Sequence, residues 1–182
     1  MRDSSAEQSL RRVLLISAID GWCIALFAGF CTVISLLFGE WIGAAVGAAI
    51  TLSGIIELRG RTRLGRGEMS GLDWLIRAQV LILATVGLYA LSNLLTFNKE
   101  ALLAQIMPEL RNAITQLGLS MSDLELMLKP LYFSLYLTVI AVTVLFQGGL
   151  ALFYVSQRTK ISQALTQRPP PLPTDSGLQN QP

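Results

Sequence analysis

Four long apolar stretches alternate with polar connections along this chain, and they cover residues 13–38, 41–57, 74–97 and 131–155. A helix needs about 20 apolar residues to cross the hydrocarbon core of a bilayer. Three of the stretches reach that length. The second has an apolar part of only about 24 Å as a helix, and we expect snorkelling side chains at its ends to cover the shortfall. The pattern predicts an all-α, polytopic membrane protein built as a four-helix transmembrane bundle.

The polar segments divide the chain around this transmembrane domain of residues 13–155. Residues 1–12 are predicted to form a cytoplasmic N-terminal arm, and residues 58–73 a cytoplasmic loop between the second and third spans. Residues 156–182 are rich in proline and polar side chains toward their end, which predicts a disordered cytoplasmic tail. Residues 98–130, between the third and fourth spans, form the remaining large polar segment.

Within residues 98–130, apolar side chains recur at intervals of three and four residues, which predicts an amphipathic helix. The stripe consists of Leu102, Leu103, Ile106, Leu110, Ile114 and Leu117. We expect this extracytoplasmic helical segment to continue past Pro130 into the fourth span. Two roles remain open for it: its stripe covers the membrane or the ends of the spans, or it docks a protein partner.

The flanking charges predict the orientation of the bundle. Basic side chains cluster before the first span, between the second and third spans, and after the fourth: Arg2, Arg11, Arg12, Arg59, Arg61, Arg63, Arg66, Arg158, Lys160 and Arg168. On the other side, acidic side chains outnumber basic ones. The positive-inside rule then places both termini in the cytoplasm, and we expect a bacterial inner (plasma) membrane. The first span is about twice as long as a signal-peptide core, so we expect it to remain in the mature protein.

The composition argues against an enzyme. The chain has no histidine, which removes the commonest general base and metal ligand. Its two cysteines, Cys23 and Cys31, lie about 12 Å apart along one helix, too far for a disulfide. No nucleotide-binding, hydrolase or metal-ligand motif occurs. We therefore expect no catalytic residue, no metal and no cofactor.

The connection between the second and third spans carries four arginines within eight residues: Arg59, Arg61, Arg63 and Arg66. It lacks the interleaved aromatic residues of a nucleic-acid segment, so we expect no nucleic-acid partner. The arginines orient the spans, and anionic lipid headgroups are their candidate ligands.

Polar side chains inside the spans are the candidate functional residues, because they are costly in hydrocarbon and therefore usually paired or functional. Asp20, Arg77, Gln79 and Gln147 fall at similar depths in the cytoplasmic half, with Glu57 just below them. Three interpretations remain open. Asp20 and Arg77 form a structural ion pair; Arg77 instead snorkels or bonds to Asp73 on its own helix; or the layer is a solute, ion or proton site.

A small-residue face on the second span is the clearest packing signal. Gly43, Gly47, Thr51 and Gly54 share one side of the helix, which allows another helix backbone to approach closely. The approaching helix is either this chain's own first span or another copy. The sequence thus favours a non-enzymatic accessory or scaffold subunit that holds a partner or a second copy through these helix faces. The alternative is a small ion- or proton-coupled transporter or channel-like protein built on the Asp20/Arg77 layer.

Overall fold

The computed structural model describes residues 4–97 and 121–166, and this part of the chain is helical without strands. Helix α1 spans Ser4–Leu37, α2 spans Trp41–Gly65 and α3 spans Ser70–Leu95. The fourth element is continuous and consists of α4 (Met121–Thr143), a π-helical turn (Val144–Gly148) and α5 (Gly149–Thr166). Within these residues, four helices are long and apolar enough to cross a membrane, which agrees with the predicted all-α fold. The stripe of residues 102–117 and the tail after residue 166 lie outside the described residues.

At the end of the bundle that carries the arginines, called the arginine-rich end below, the helices continue beyond the predicted spans. The predicted arm of residues 1–12 is helical from Ser4 onward, α2 runs through the first half of the predicted 58–73 loop to Gly65, and α3 begins within its last residues at Ser70. The α2–α3 connection is thereby reduced to a short turn, in which Gly67 has a φ of 92°. Because α2 is 25 residues long, it extends about 38 Å, although its apolar part still ends at Ile56 and the added length carries arginines.

A hydrophobic core explains these extensions. It joins the beginning of α1, the end of α2, the beginning of α3 and the end of α5, and we call it the basal core: Ala6, Leu10, Val13, Leu64, Leu72, Leu75, Tyr154, Ile161 and Ala164. Leu64, Leu72 and Leu75 are completely buried. Burying a leucine side chain contributes roughly 1.5–3 kcal/mol, so the polar-looking ends of the spans are ordered by their apolar faces.

The small-residue face of α2 packs against α1. A methyl group built on Gly54 would lie 2.8 Å from the backbone nitrogen of Ala25, and one built on Gly47 would collide with Thr32. One built on Gly43 would lie 3.0 Å from Ser35 Oγ. The connecting turn places Gly39 at a φ of 73°, which glycine adopts without strain. The approaching helix is therefore this chain's own first span.

A second close approach joins α2 and α3 at Gly60 and Gly71, which the sequence analysis did not identify. A methyl group on Gly60 would lie 2.9 Å from the carbonyl oxygen of Gly71.

Helix α4 packs mainly against α3. At that end Tyr132 donates its hydroxyl to the Asn93 carbonyl oxygen at 3.2 Å, and its ring packs 4.9 Å from Phe97 and 4.7 Å from Tyr136 between centroids. All four helical elements thus share a core at the arginine-rich end, whereas toward the other end α4 contacts mainly α3 among the described residues.

Candidate functional site: a buried polar cluster

Four polar side chains meet directly above the basal core, and we call them the polar cluster: Asp20, Glu57, Gln79 and Tyr154. The Gln79 amide donates from Nε2 to Asp20 Oδ2 at 3.1 Å. The Tyr154 hydroxyl donates to Glu57 Oε1 at 2.9 Å. The Asp20 and Glu57 carboxyls are neighbours, close enough for their charges to interact. The cluster therefore connects α1, α2, α3 and α5 at a single level.

Burial sets the energetics of this cluster. Glu57, Gln79 and Tyr154 are fully buried, whereas Asp20 is half-buried. Glu57 Oε2 and Gln79 Oε1 are buried without a hydrogen-bond partner among the described residues. A buried polar atom that lacks a partner costs about 1–3 kcal/mol. Part of the hydrogen-bonding capacity of the cluster is thus unused in this arrangement.

Serine side chains extend the polar face by one helical turn from each carboxyl group. Ser17 lies three residues before Asp20 on α1, and Ser53 lies four residues before Glu57 on α2. Both are fully buried. Each hydroxyl donates to a carbonyl of its own helix, Ser17 to Leu14 at 3.3 Å and Ser53 to Ala49 at 3.0 Å. Both serines are therefore satisfied locally.

The structure does not place Arg77 with Asp20. Arg77 is exposed and lines an outward-facing groove of about 470 Å³ with Ile56 and Trp74. The reason is rotational: Arg77 and Gln79 are two residues apart, which turns them about 200° from each other around α3. When Gln79 faces Asp20, Arg77 must face outward. Neither carboxylate of the polar cluster forms an ion pair within residues 4–97 and 121–166.

Asp73, the possible ion-pair partner of Arg77 on its own helix, pairs with Arg158 instead. Its Oδ1 lies 3.3 Å from Arg158 on α5, so the ion pair bridges α3 and α5 at the arginine-rich end. Both side chains are about half exposed, at 43% and 58%. Exposed ion pairs of this kind contribute roughly 0–1 kcal/mol. This contact therefore adds little to the energy that holds the two helices together.

Gln147 lies in the π-helical turn, which packs against α3. Its side-chain Oε1 is buried and has no hydrogen-bond partner in the described part of the chain. Methyl groups built on Gly148 and Gly149 would meet nothing within 4 Å, so these glycines do not serve a close helix contact. They coincide instead with an irregular turn, and π-helical turns in long helices are frequent at functional sites.

The arginines between the second and third spans divide into two groups. Arg61 turns inward, where its Nε donates to the Leu14 carbonyl of α1 at 2.9 Å. Arg59, Arg63 and Arg66 face outward along one side of α2, and the Arg63 guanidinium stacks 5.2 Å from the centre of the Trp74 ring. Arg61, which follows Glu57 by one helical turn, thus hydrogen-bonds to the backbone of α1.

Tyr154 is the member of the polar cluster that the sequence analysis missed. Its ring belongs to the basal core while its hydroxyl reaches Glu57. A signal was available, because Tyr154 follows Gln147 by seven residues, about two helical turns.

Among the described residues, no group of three or more His, Cys, Asp and Glu side chains is placed to hold a metal ion. No protein family, no curated protein and no solved structure matches this chain.

Proposed function

We propose that this chain is a small ion-coupled membrane transporter or channel-like protein, in which Asp20 and Glu57 bind a proton or a monovalent cation. The observation that carries the proposal is the pairing of two carboxyl groups inside the bundle without a basic partner among the described residues. Two like charges in a buried site disfavour each other. A bound proton or cation removes that repulsion.

The unused hydrogen-bonding atoms support the same proposal. A proton on Glu57 Oε2 would convert an oxygen that has no partner in the described part of the chain into a donor for the neighbouring Asp20 carboxylate. A small cation would instead use Glu57 Oε2 and Gln79 Oε1, two buried oxygens without a partner among the described residues, together with the Asp20 carboxylate, which accepts from the same Gln79 amide. Asp20 is only half-buried, which makes it the member through which the site exchanges ions with its surroundings.

The proposal includes an orientation in the inner membrane of a bacterium. The arginine-rich end faces the cytoplasm, because basic residues concentrate on the cytoplasmic side of membrane proteins. Asp20 and Glu57 then lie in the cytoplasmic half of the bundle. Labelling single introduced cysteines at position 66 and at position 41 with a membrane-impermeant maleimide, in a background lacking Cys23 and Cys31, tests this orientation in intact cells.

The functional test is ion flux through proteoliposomes that contain the full chain. An imposed gradient of protons, Na⁺ or K⁺ is followed by an internal pH dye and by ion-selective dyes. We expect Glu57→Gln and Asp20→Asn to abolish the flux, because each removes one carboxyl charge while keeping the size of the side chain. Glu68→Gln is the matched control, since Glu68 is exposed in the α2–α3 turn.

Two results contradict the proposal. One is the absence of any proton, Na⁺ or K⁺ flux by the correctly folded wild-type protein under both chemical gradient and membrane potential. The other is a flux that Glu57→Gln and Glu68→Gln reduce equally. Circular dichroism and size-exclusion profiles of each variant establish that the fold is retained before the flux is compared.

An accessory subunit is the second candidate, and the exposed leucines of α4 favour it. Leu131, Leu135 and Leu137 are 57–70% exposed, because α4 packs mainly against α3. The small-residue face of α2 does not serve this role, since α1 occupies it. Native mass spectrometry of the gently extracted protein tests the proposal. A second polypeptide that is reproducibly present, and that is lost in a Leu131→Ser/Leu135→Ser variant, supports an accessory role.

A further inference from the structure

A basic groove runs along the outer face of α2 at the arginine-rich end. It has a volume of about 360 Å³ and is lined by Ile55, Leu58, Arg59, Thr62, Arg63 and Arg66. The three arginines are separated by four and three residues, which places them on one side of a helix. Arg61 is turned to the opposite side by its hydrogen bond to Leu14. The groove therefore collects three positive charges on one surface.

An apolar groove continues this surface toward the middle of the bundle. It measures about 320 Å³ and lies between α1 and α2, with Gly29, Thr32, Ala48, Thr51, Leu52 and Ile55 as its lining. Ile55 lines both grooves, so the two surfaces adjoin. From Ala48 to Leu58 the helix rises about 15 Å. This equals about half the thickness of the hydrocarbon core, the depth that one leaflet of acyl chains fills.

We propose that these two grooves together bind one phospholipid with an anionic headgroup. Its phosphate lies against Arg59, Arg63 and Arg66, and an acyl chain follows the apolar groove past Ile55 toward Ala48. The guanidinium group suits this ligand, because its forked donors match phosphate oxygens in a bidentate arrangement. No acidic side chain lines either groove in the described part of the chain, so the charge complementarity is unopposed.

Depth along the helix supports a phospholipid as the occupant. Arg59 and Arg63 lie about 6 and 12 Å beyond Ile55 along the axis of α2. The polar headgroup region of a bilayer begins where the hydrocarbon core ends and is several ångströms thick. The arginines thus reach headgroup level where the apolar lining ends. The positive-inside rule accounts for the number of arginines at this end, but not for three of them sharing a groove that continues into an apolar one.

The test measures lipid binding to the full chain in mild detergent by native mass spectrometry. The probes are dioleoyl phosphatidylglycerol, which is anionic, and dioleoyl phosphatidylcholine, which carries no net charge. We expect one phosphatidylglycerol to be retained in preference to phosphatidylcholine. In Arg59→Gln/Arg63→Gln/Arg66→Gln we expect about hundredfold weaker binding, since each basic residue at a membrane surface contributes roughly a fivefold factor.

Two further variants distinguish a site from diffuse attraction. Arg11→Gln/Arg12→Gln/Lys160→Gln removes the same charge from exposed positions at the same end and should leave the retained lipid unchanged. Ala48→Phe keeps every charge but fills the apolar groove at an exposed position. We expect it to weaken binding about tenfold, as when roughly two methylene groups lose their burial.

Three results would overturn the proposal: equal loss of binding in the two triple variants, equal retention of the two lipids, or unchanged binding in Ala48→Phe. Thermal unfolding of each variant without added lipid establishes that the bundle is intact. The outcome is independent of ion flux, because neither groove includes Asp20 or Glu57. Failure of lipid binding therefore leaves the proposed transport function standing, and the reverse also holds.

Discussion

The hydrogen bond between Tyr154 and Glu57 should be the most sensitive single contact in the bundle. Tyr154→Phe removes the hydroxyl that donates to Glu57 Oε1 but keeps the ring that is fully buried in the basal core. The hydrophobic contribution is therefore nearly constant. Removing the donor of a buried hydrogen bond, so that its acceptor is left without a partner, costs about 1–3 kcal/mol. Because Glu57 Oε2 has no partner among residues 4–97 and 121–166, the variant leaves both carboxyl oxygens without a described donor, and we expect a loss of about 2 kcal/mol in the free energy of unfolding.

Tyr132→Phe provides the matched comparison. It makes the same chemical change at the other end of the bundle, where the hydroxyl donates to the neutral backbone carbonyl of Asn93 at 3.2 Å. The tyrosine there is only half-buried. Hydrogen bonds between neutral groups contribute about 1 kcal/mol, so this variant should lose about half as much stability as Tyr154→Phe. The assay is reversible unfolding in mixed micelles with an increasing fraction of sodium dodecyl sulfate.

A double-mutant cycle with Glu57→Met isolates the interaction. Removing both partners leaves no orphaned carboxylate or hydroxyl, so Glu57→Met/Tyr154→Phe should lose less stability than the sum of the single variants, by at least about 1 kcal/mol. Additive effects, or a loss in Tyr154→Phe no larger than in Tyr132→Phe, would refute the reasoning. Either result would mean that the hydroxyl and the carboxylate do not depend on each other.

Three further predictions use the same unfolding assay. Gly71→Ala should lower the free energy of unfolding by about 1–3 kcal/mol, because its methyl group meets the backbone of α2. Gly149→Ala is the control, since nothing lies within 4 Å of the added methyl group, and it should be neutral or stabilising. Equal losses in the two variants would argue against close packing of α2 and α3. The changes in the free energy of unfolding caused by Asp20→Asn and by Arg77→Gln should add to within about 0.5 kcal/mol in the double variant. If Asp20→Arg/Arg77→Asp restored the stability that the single substitutions lose, an ion pair would be established instead. Gln147→Leu should raise stability by about 1 kcal/mol, because Oε1 is buried without a described partner; a loss would show that this amide is bonded.

Residue counting along a helix predicts the level at which a side chain lies, but it does not predict the direction in which the side chain faces. Counting residues from the ends of the apolar stretches predicted the level at which Asp20 and Gln79 lie, because a helix rises by a fixed distance per residue. The same counting put Arg77 at that level but did not say which way it faces. Only the tertiary packing of α3 selects the face with Gln79 for the interior. Two residues on one helix cannot both face Asp20 when 200° separates them.

The boundaries of the helices show a second limit of the sequence analysis. Residues 1–12 and 58–73 are polar on average, which predicted an arm and a loop. Ala6 and Leu10 on α1 and Leu64 on α2 are nevertheless buried together, because a helix needs only one apolar face to pack. An average over all positions conceals such a face. The pattern of apolar residues in these segments becomes recognisable only when the partner helices are known.

The position of the polar cluster links its chemistry to the packing of the bundle. Tyr154 contributes its ring to the basal core and its hydroxyl to Glu57, while Gln79 on α3 and Asp20 on α1 complete the same layer. A proton or cation that enters the cluster therefore changes the charge where α1, α2, α3 and α5 meet. Helix α4, which packs mainly against α3 among the described residues, is joined to this layer through the π-helical turn. If Asp20 and Glu57 bind an ion, as we propose, the charge changes beside α5, the helix that continues directly from this turn, and we therefore expect a conformational response at the turn.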